Sequence, residues 1–250
     1  MTNSPPWVHI SEHARQAKEY INNRRTGQVK SILTPWTKLN NELLNGLEWK
    51  SVVELLGNSG SGKTAIKDQC TIGAVDLNLD QDFAILDLQF EMTGITRVIR
   101  DVSRKFGKDM KYIQSAFNPL SDTEYEEYAA FLNRDLSQLD LYTVEVPRNV
   151  KQIELIVDAF AASIKKPFIV TLDHSMLVPR DTEKDDWEVI RRLAEMLIRT
   201  KKKHMIIWII LNQFNREFER ADRQIPNSIK AFPVKSDAFG GKINVNCHLN

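Results

Sequence analysis

Residues 51–64 read SVVELLGNSGSGKT, an apolar run that breaks into a glycine-rich turn ending in Lys63 and Thr64. The turn matches the pattern G-x-x-x-x-G-K-[ST], in which glycines let backbone N–H groups surround phosphate oxygens at the start of a helix. Lys63 is expected to reach the β- and γ-phosphates of a nucleotide, and the Thr64 hydroxyl to bind Mg²⁺. The residues predicted to contact the nucleotide phosphates are Gly57, Asn58, Ser59, Gly60, Ser61, Gly62, Lys63 and Thr64.

The residues on both sides of this turn support the same interpretation. Apolar residues over 52–56 predict a buried strand, and apolar residues at helical spacing predict one helix over residues 65–79. Because a phosphate-binding loop joins a strand to a helix, this context favours nucleoside-triphosphate binding over an incidental glycine-rich turn.

Composition limits the classes of protein to which the chain can belong. Its 250 residues allow one large domain, or a domain with an appendage, and 42% hydrophobic residues with 27% charged residues are ordinary for a globular protein. The net charge of +1 excludes a global basic field, so any nucleic-acid site must be a local patch. Two distant cysteines and the lack of a long apolar segment predict a cytoplasmic protein without a membrane span.

The remainder of the chain alternates strands with helices. Strands are predicted over residues 83–88, 141–146, 168–172 and 205–211, and helices over residues 94–106, 122–139, 150–164 and 185–203. This alternation predicts an α/β fold with a mainly parallel central sheet flanked by helices. The run MIIWIIL agrees, because a strand covered on both faces shows no polar alternation.

An N-terminal arm, residues 1–30, is predicted to precede a main domain over residues 31–250. A helix over about 11–23 carries a thin apolar stripe that includes Ala14, Ala17 and Ile21. Because this apolar surface is too small to stabilise a lone helix, the helix should dock either on its own domain or on a neighbouring subunit. A short helix is also predicted over residues 37–44.

Polar residues follow three predicted strands, where ligands lie in open parallel sheets. Asp173 ends the run FIVTLD and is expected to hold the water shell of Mg²⁺, whereas His174 should pack locally because Mg²⁺ prefers oxygen. Glu91 is the leading candidate for the carboxylate that orients the attacking water, with Asp87 as its rival. Gln213 could sense the γ-phosphate and pass its state to the following loop.

Two groups of basic residues are candidates for contacts with nucleic acid. Arg199 and the lysines at 201–203 end a predicted helix, where cations complement the helix dipole, so a solvated surface is favoured over a DNA contact. The polar tail carries lysines that could contact phosphates of DNA, namely Lys230, Lys235 and Lys242.

With these residues placed, the chain resembles the ATPase domain of the DnaB-type replicative helicases, a RecA-like hexameric class. The resemblance rests on four motifs in order: GNSGSGKT; LQFEM, where the family has a phrase like FSLEM; LDHSML; and LNQFNR, where the family has SQLNR. The lead-in TPWTKLNNELLNGLEW is also similar, and the resemblance spans about residues 30–245. It implies a RecA-like P-loop NTPase fold.

The resemblance also implies roles and partners. Glu91 would be the catalytic carboxylate, Asp173 the magnesium-linked acid and Gln213 the switch coupled to the γ-phosphate. The cofactors would be ATP and Mg²⁺, and the partners single-stranded DNA, identical subunits in a hexameric ring, and a primase or loader. The helix over 11–23 would pack on the adjacent subunit, as the helix before the domain does in that family. The chain would be a reduced, phage-like form without a primase-binding N-terminal domain.

The chain also departs from the family pattern. His174 and Met176 stand where the family has Tyr and Gln. The family's arginine finger lies near its C-terminal end, about where this chain stops, so the domain is expected to lack its last strand or strands. Without such a residue the chain should bind ATP and hydrolyse it slowly, since the finger contributes ~10³- to 10⁵-fold in rate. Weak candidates for it are Arg216, Arg220 and Arg223.

Three alternatives to a helicase motor remain open at this stage. A RecA recombinase or clock-type ATPase also has a carboxylate after the second strand. A recombinase would pair DNA strands and would not unwind a fork processively. A helicase loader or assembly factor would bind ATP without turnover. A DNA-packaging motor is a weaker alternative, since it should need a nuclease or portal partner.

Overall fold

The computed structural model describes residues 7–214 of the chain. The tail residues predicted to contact DNA or to serve as an arginine finger lie outside the described residues, namely Arg216, Arg220, Arg223, Lys230, Lys235 and Lys242. No helix within residues 7–214 is long and apolar enough to cross a membrane.

Strands and helices alternate through most of the described chain. The strands are β1 (Ser51–Leu56), β2 (Ala84–Gln89), β3 (Leu141–Val144), β4 (Phe168–Asp173) and β5 (Ile206–Asn212). The helices are α1 (Ile10–Arg25), α2 (Thr37–Glu42), α3 (Lys63–Cys70), α4 (Ile72–Val75), α5 (Gly94–Phe106), α6 (Met110–Ile113), α7 (Asp122–Arg134), α8 (Val150–Ile164) and α9 (Asp186–Lys203).

The five strands form one sheet in the order β1-β5-β4-β2-β3, and every pairing is parallel. Parallel strands need crossover connections, and the intervening helices cover both faces of the sheet. The prediction of an α/β fold with a mainly parallel central sheet is therefore confirmed. Because all carboxyl ends point the same way, the residues just after each strand meet at one edge, called the carboxyl rim here.

The sheet separates two apolar layers. On one face, α8 and α9 pack against alternate strand residues such as Leu86, Val170 and Trp208. On the other face, α3 and α4 pack against the residues between them, such as Ile85 and Ile209. All seven residues of β5 are buried, which explains why the first six form a continuous apolar run before Asn212.

Several predicted boundaries were wrong. The single helix expected over 65–79 is divided at Thr71, whose backbone leaves helical geometry at φ −114° and ψ −88°. The Thr71 hydroxyl donates to the carbonyls of Lys67 and Asp68, which satisfies the end of α3. The helix expected over 122–139 ends at Arg134, and a short 3₁₀ turn follows at 136–138. The strand expected over 141–146 ends at Val144, and the sequence did not indicate α6.

Helix α1 extends the predicted helix at both ends and buries none of its own residues. Its C-terminal half is attached to the domain, since Arg24 donates to the Leu44 carbonyl at 2.9 Å and Tyr20 hydrogen-bonds Glu48. Apolar residues recur along one side at intervals of three and four positions and all are exposed. We call this set the α1 stripe: Ile10, Ala14, Ala17 and Ile21.

Candidate active site

The loop between β1 and α3 has the backbone that a phosphate cradle requires. Gly62 precedes α3 in the left-handed region with φ +87°, a conformation that favours glycine. At Gly57 an added Cβ atom would come within 2.4 Å of the Ser61 hydroxyl oxygen, so a larger residue would require the Ser61 side chain to move. The loop thereby places its glycine-rich backbone beside the N-terminal end of α3, where backbone N–H groups and the helix dipole favour an anion.

The Lys63 ammonium lies across the mouth of this loop. Its Nζ donates to the carbonyls of Gly57 and Asn58, both at 2.8 Å. Burial lowers the pKa of Lys63, against the opposing effect of the negative charges of Asp173 and Glu91. The ammonium thus stands among the loop's own carbonyls at the position where the sequence motif predicts a polyphosphate.

Thr64 and Asp173 bring the first turn of α3 to the end of β4. The Thr64 Oγ1 donates to the Asp173 Oδ2 at 3.0 Å. Burial raises the pKa of Asp173, although Lys67 and Thr64 act in the opposite direction. Two oxygen groups from different elements are thereby held together, as a Mg²⁺ ion would need.

Glu91 lies two residues beyond β2, and its side chain is exposed. Its negative charge acts on both other parts of the site, since it raises the pKa of Asp173 and counteracts the lowering of the Lys63 pKa. Glu91 therefore stands on the same part of the carboxyl rim as the phosphate-binding loop and Asp173.

Asp87, the rival carboxylate, is buried and fully engaged. Lys67 Nζ lies 3.0 Å from both of its carboxylate oxygens, Arg97 Nε lies 3.3 Å from Oδ2, and Thr171 donates to Oδ1. Burial alone would raise the pKa of Asp87, but the charges of Lys67 and Arg97 outweigh it and the pKa is lowered. These surroundings favour a structural role for Asp87 and leave Glu91 as the accessible carboxylate.

A set of buried charged side chains lies beneath the rim, and we call it the buried charge cluster: Lys67, Asp68, Asp87, Arg97 and Asp101. Arg97 Nη1 lies 3.1 Å from Asp68 and 3.0 Å from Asp101, which connects α3 with α5. Lys67 Nζ also lies 3.9 Å from Asp173. Sequence reasoning missed this cluster, although a charge within an apolar strand or helix face was a visible signal.

Gln213 follows β5 directly and is half-buried. The residue before it, Asn212, hydrogen-bonds Glu54 on β1 and Ser175 just after β4. In addition, the Gly57 N–H donates to the Asn212 carbonyl at 3.4 Å. The end of β5 is thus fixed between the phosphate-binding loop and Asp173, and Gln213 begins from that fixed point.

The basic residues near the end of α9 form surface ion pairs. Arg199 lies 2.8 Å from Glu154, and Lys203 lies 2.7 Å from Asp158, both on α8. These contacts agree with the solvated-surface interpretation, because the same cations are engaged within the domain. The three lysines at 201–203 lie in the last turn of α9, where they complement its dipole.

The donor set fits a hydrated Mg²⁺ ion better than a tightly coordinated metal. Within residues 7–214, no group of three or more His, Cys, Asp or Glu side chains could hold a metal ion. Mg²⁺ commonly keeps several waters and uses one or two protein oxygens together with substrate phosphates. Thr64 and Asp173 supply such oxygens. Gln89, the register partner of Asp173, is buried, and neither polar atom of its amide has a hydrogen-bond partner among the described residues.

No family model matches the chain. Among solved structures, the chain is similar to one described as an ATPase domain, with 16% identity and a TM-score of 0.74, over 92% of this chain and 78% of that chain. It is also similar to a DnaB-like replicative helicase described with its interactions with primase, with 16% identity and a TM-score of 0.72. That match covers 96% of this chain and 54% of the other, so the chain spans about half the length of that helicase. At these identities the similarity establishes the fold, and the chain therefore has the RecA-like fold of DnaB-type helicase ATPase domains.

Proposed function

We propose that this chain is the ATPase motor domain of a DnaB-type replicative helicase, which hydrolyses Mg-ATP and translocates on single-stranded DNA. One observation carries the proposal. Lys63, the Thr64–Asp173 pair and the exposed Glu91 converge on one part of the carboxyl rim, in a fold shared with such ATPase domains.

Each residue at the rim has a distinct proposed task. The backbone of residues 57–64 and the Lys63 ammonium bind the phosphates, and Thr64 and Asp173 hold the hydrated Mg²⁺. Bound Mg²⁺ supplies positive charge that offsets the charge on the phosphoryl oxygens. Glu91 orients the attacking water and accepts its proton. Gln213 responds to the γ-phosphate and passes its state to the chain that follows.

The exposed α1 stripe supports an assembly of identical subunits. Ile10 and Ile21 have 71% and 64% of their surface exposed, although the stripe has the spacing of a buried helix face. We propose that the stripe packs on the next subunit of a ring. A primase or loader is a further proposed partner, as is single-stranded DNA.

Activity assays with the whole chain test the motor proposal. ATP hydrolysis is measured with and without oligo-dT, and unwinding is measured on a forked duplex, with Lys63→Ala as the variant impaired in phosphate binding. A motor shows hydrolysis that single-stranded DNA stimulates and that Lys63→Ala abolishes, together with unwinding of the fork.

Other outcomes distinguish the alternatives. ATP binding with a flat, near-zero rate at high protein concentration would contradict the motor and favour a loader or assembly factor. Hydrolysis with strand pairing and without unwinding would instead indicate a recombinase.

A further inference from the structure

Gln89 is the last residue of β2 and lies beside Asp173 in the sheet. The two residues are register partners in the parallel β2–β4 pairing, and the Phe90 N–H donates to the Asp173 carbonyl at 3.1 Å. Register partners in a sheet project to the same face. Since Asp173 meets Thr64 of α3, Gln89 projects to the face that carries the phosphate-binding helix.

Alternation along β2 gives the same result. Leu86 and Leu88 belong to the apolar layer under α8 and α9, so Asp87 and Gln89 face the opposite side. Asp87 on that side contacts Lys67 of α3 directly. Gln89 therefore projects to the same face as Asp87 and lies two residues nearer the carboxyl rim. It is next to Asp173 and two residues before Glu91.

The surroundings of Gln89 leave its amide without partners. The side chain is 0% exposed, and neither Oε1 nor Nε2 has a hydrogen-bond partner within residues 7–214. Its neighbours on this face are already committed, since Asp87 is held by Lys67 and Arg97, and Asp173 accepts from Thr64. A buried amide with both functions unsatisfied is unfavourable, and an apolar side chain of the same size would remove that cost.

We propose that Gln89 is an additional binding residue of the phosphate site, whose carboxamide hydrogen-bonds a water molecule of the hydrated divalent cation held by Thr64 and Asp173. The inference rests on the proposed function, because it requires Mg-nucleotide at this rim. A water bound to a divalent cation turns its O–H groups outward, so it can donate a hydrogen bond to the Gln89 Oε1 that the protein leaves unpaired. The bound cation would thus relieve part of the cost of burying this amide.

The test compares the parent chain with Gln89→Met, which keeps the side-chain volume and removes hydrogen bonding. Thermal unfolding and calorimetric binding are measured without ligand, with a non-hydrolysable ATP analogue and EDTA, and with the analogue and Mg²⁺. We expect Gln89→Met to raise the unfolding midpoint of the ligand-free chain by ~2–4 °C, because an unsatisfied polar group is removed. Affinity in EDTA should match the parent, whereas the gain in affinity that Mg²⁺ produces should fall about tenfold.

Gln138→Met, at an exposed glutamine outside the site, is the matched control and should change neither quantity. A Gln89→Met chain that keeps the full Mg²⁺-dependent gain would overturn the inference and make Gln89 a purely structural residue. If the parent itself shows no nucleotide binding, that result would contradict both the proposed nucleotide binding at the rim and the proposed role of Gln89. Gln89→Leu provides the same comparison if the methionine variant does not fold.

Discussion

At the scale of single residues, the different surroundings of Asp87 and Glu91 favour different roles for these two nearby carboxylates. Asp87 is buried between Lys67 and Arg97, and these cations keep it ionised. Glu91 is exposed beyond the end of β2, near Lys63 and Asp173. A paired, buried carboxylate cannot readily accept a proton from water, whereas an accessible one beside the phosphate site can.

Glu91→Gln therefore tests the proposed general base. We predict a fall in kcat of ~10²- to 10⁴-fold with little change in nucleotide affinity, because the amide keeps the shape and loses the basic oxygen. Steady-state hydrolysis and equilibrium binding of a non-hydrolysable analogue measure the two quantities. Glu145→Gln, at an exposed carboxylate just after β3, is the matched control and should retain the parent rate. Equal rates for Glu91→Gln and the parent would exclude Glu91 as the base.

Asp68 gives the fold a dependence on pH. Burial raises its pKa to about 6 from the ordinary value of 3.8, against the opposing charges of Lys67 and Arg97. The folded chain thus binds more protons than the unfolded chain between these two pH values. The free energy of unfolding contributed by this group falls as pH rises from about 4 to about 6 and stays low above that.

We predict that Asp68→Asn removes this component. The free energy of unfolding of the variant minus that of the parent should be ~1 kcal/mol larger at pH 7.5 than at pH 5. The reason is that the asparagine cannot ionise, whereas Asp68 loses its proton over this range. Urea unfolding of both chains at the two pH values measures the difference. A stability difference between parent and variant that is the same at pH 5 and pH 7.5 would contradict the raised pKa.

At the scale of elements, the buried charge cluster connects α3, β2 and α5 beneath the site. Lys67 belongs to the helix that follows the phosphate-binding loop, and Arg97 belongs to the helix that follows Glu91. Both cations contact Asp87 on the strand between them. The relative positions of the loop and Glu91 are therefore set by ion pairs as well as by apolar packing.

Removing one member of such a buried pair should cost more than replacing both. We predict that Lys67→Met lowers the free energy of unfolding by ~3–5 kcal/mol, since it leaves Asp87 buried with less compensation. The double variant Lys67→Met with Asp87→Leu should recover most of that loss, because Arg97 keeps its contacts with Asp68 and Asp101. Urea unfolding is measured for the parent, Lys67→Met, Asp87→Leu and the double variant. A loss in the double variant equal to the sum of the two single-variant losses would contradict the coupling.

The elements that the sequence predicted well are those with local signals. The fold class was predicted from the alternation of strands and helices and from the apolar run of β5, because buried parallel strands need continuous apolar residues. The break at Thr71 was missed because both halves of the helix keep apolar spacing. At the site, the candidate residues were predicted from their positions just past the strands, because the carboxyl ends of parallel strands lie at one edge of the sheet. Lys67 and Arg97 were missed because their partners come from distant parts of the chain.

At the scale of the whole molecule, the α1 stripe is an apolar surface that the described part of the chain leaves exposed. Helix α1 is held to its own domain by Arg24 and Tyr20, so the stripe faces outward on an attached helix. An isolated helix with this composition would be marginal in water. A second subunit could cover the stripe and stabilise α1 at the same time.

We predict that Ile10→Asp with Ile21→Asp prevents ring assembly without unfolding the domain, because both residues are exposed in the single chain. Light scattering with a non-hydrolysable ATP analogue and oligo-dT measures the assembly. Gln16→Asp with Asn23→Asp adds the same two charges away from the stripe and should leave assembly intact. Rings formed equally well by both double variants would show that the stripe is not the contact between subunits.

The position of each strand in the sheet also determines how readily its backbone hydrogen bonds open in solution. β3 forms one edge, has four residues and is partly exposed, whereas β5 is buried along its whole length and pairs on both sides. Amide protons of β3 should exchange with deuterium through small local fluctuations, and those of β5 only through complete unfolding. The loop between β1 and α3 and Asp173 adjoin β5, so the candidate site should stay folded while the hydrogen bonds of β3 at the far edge open and close.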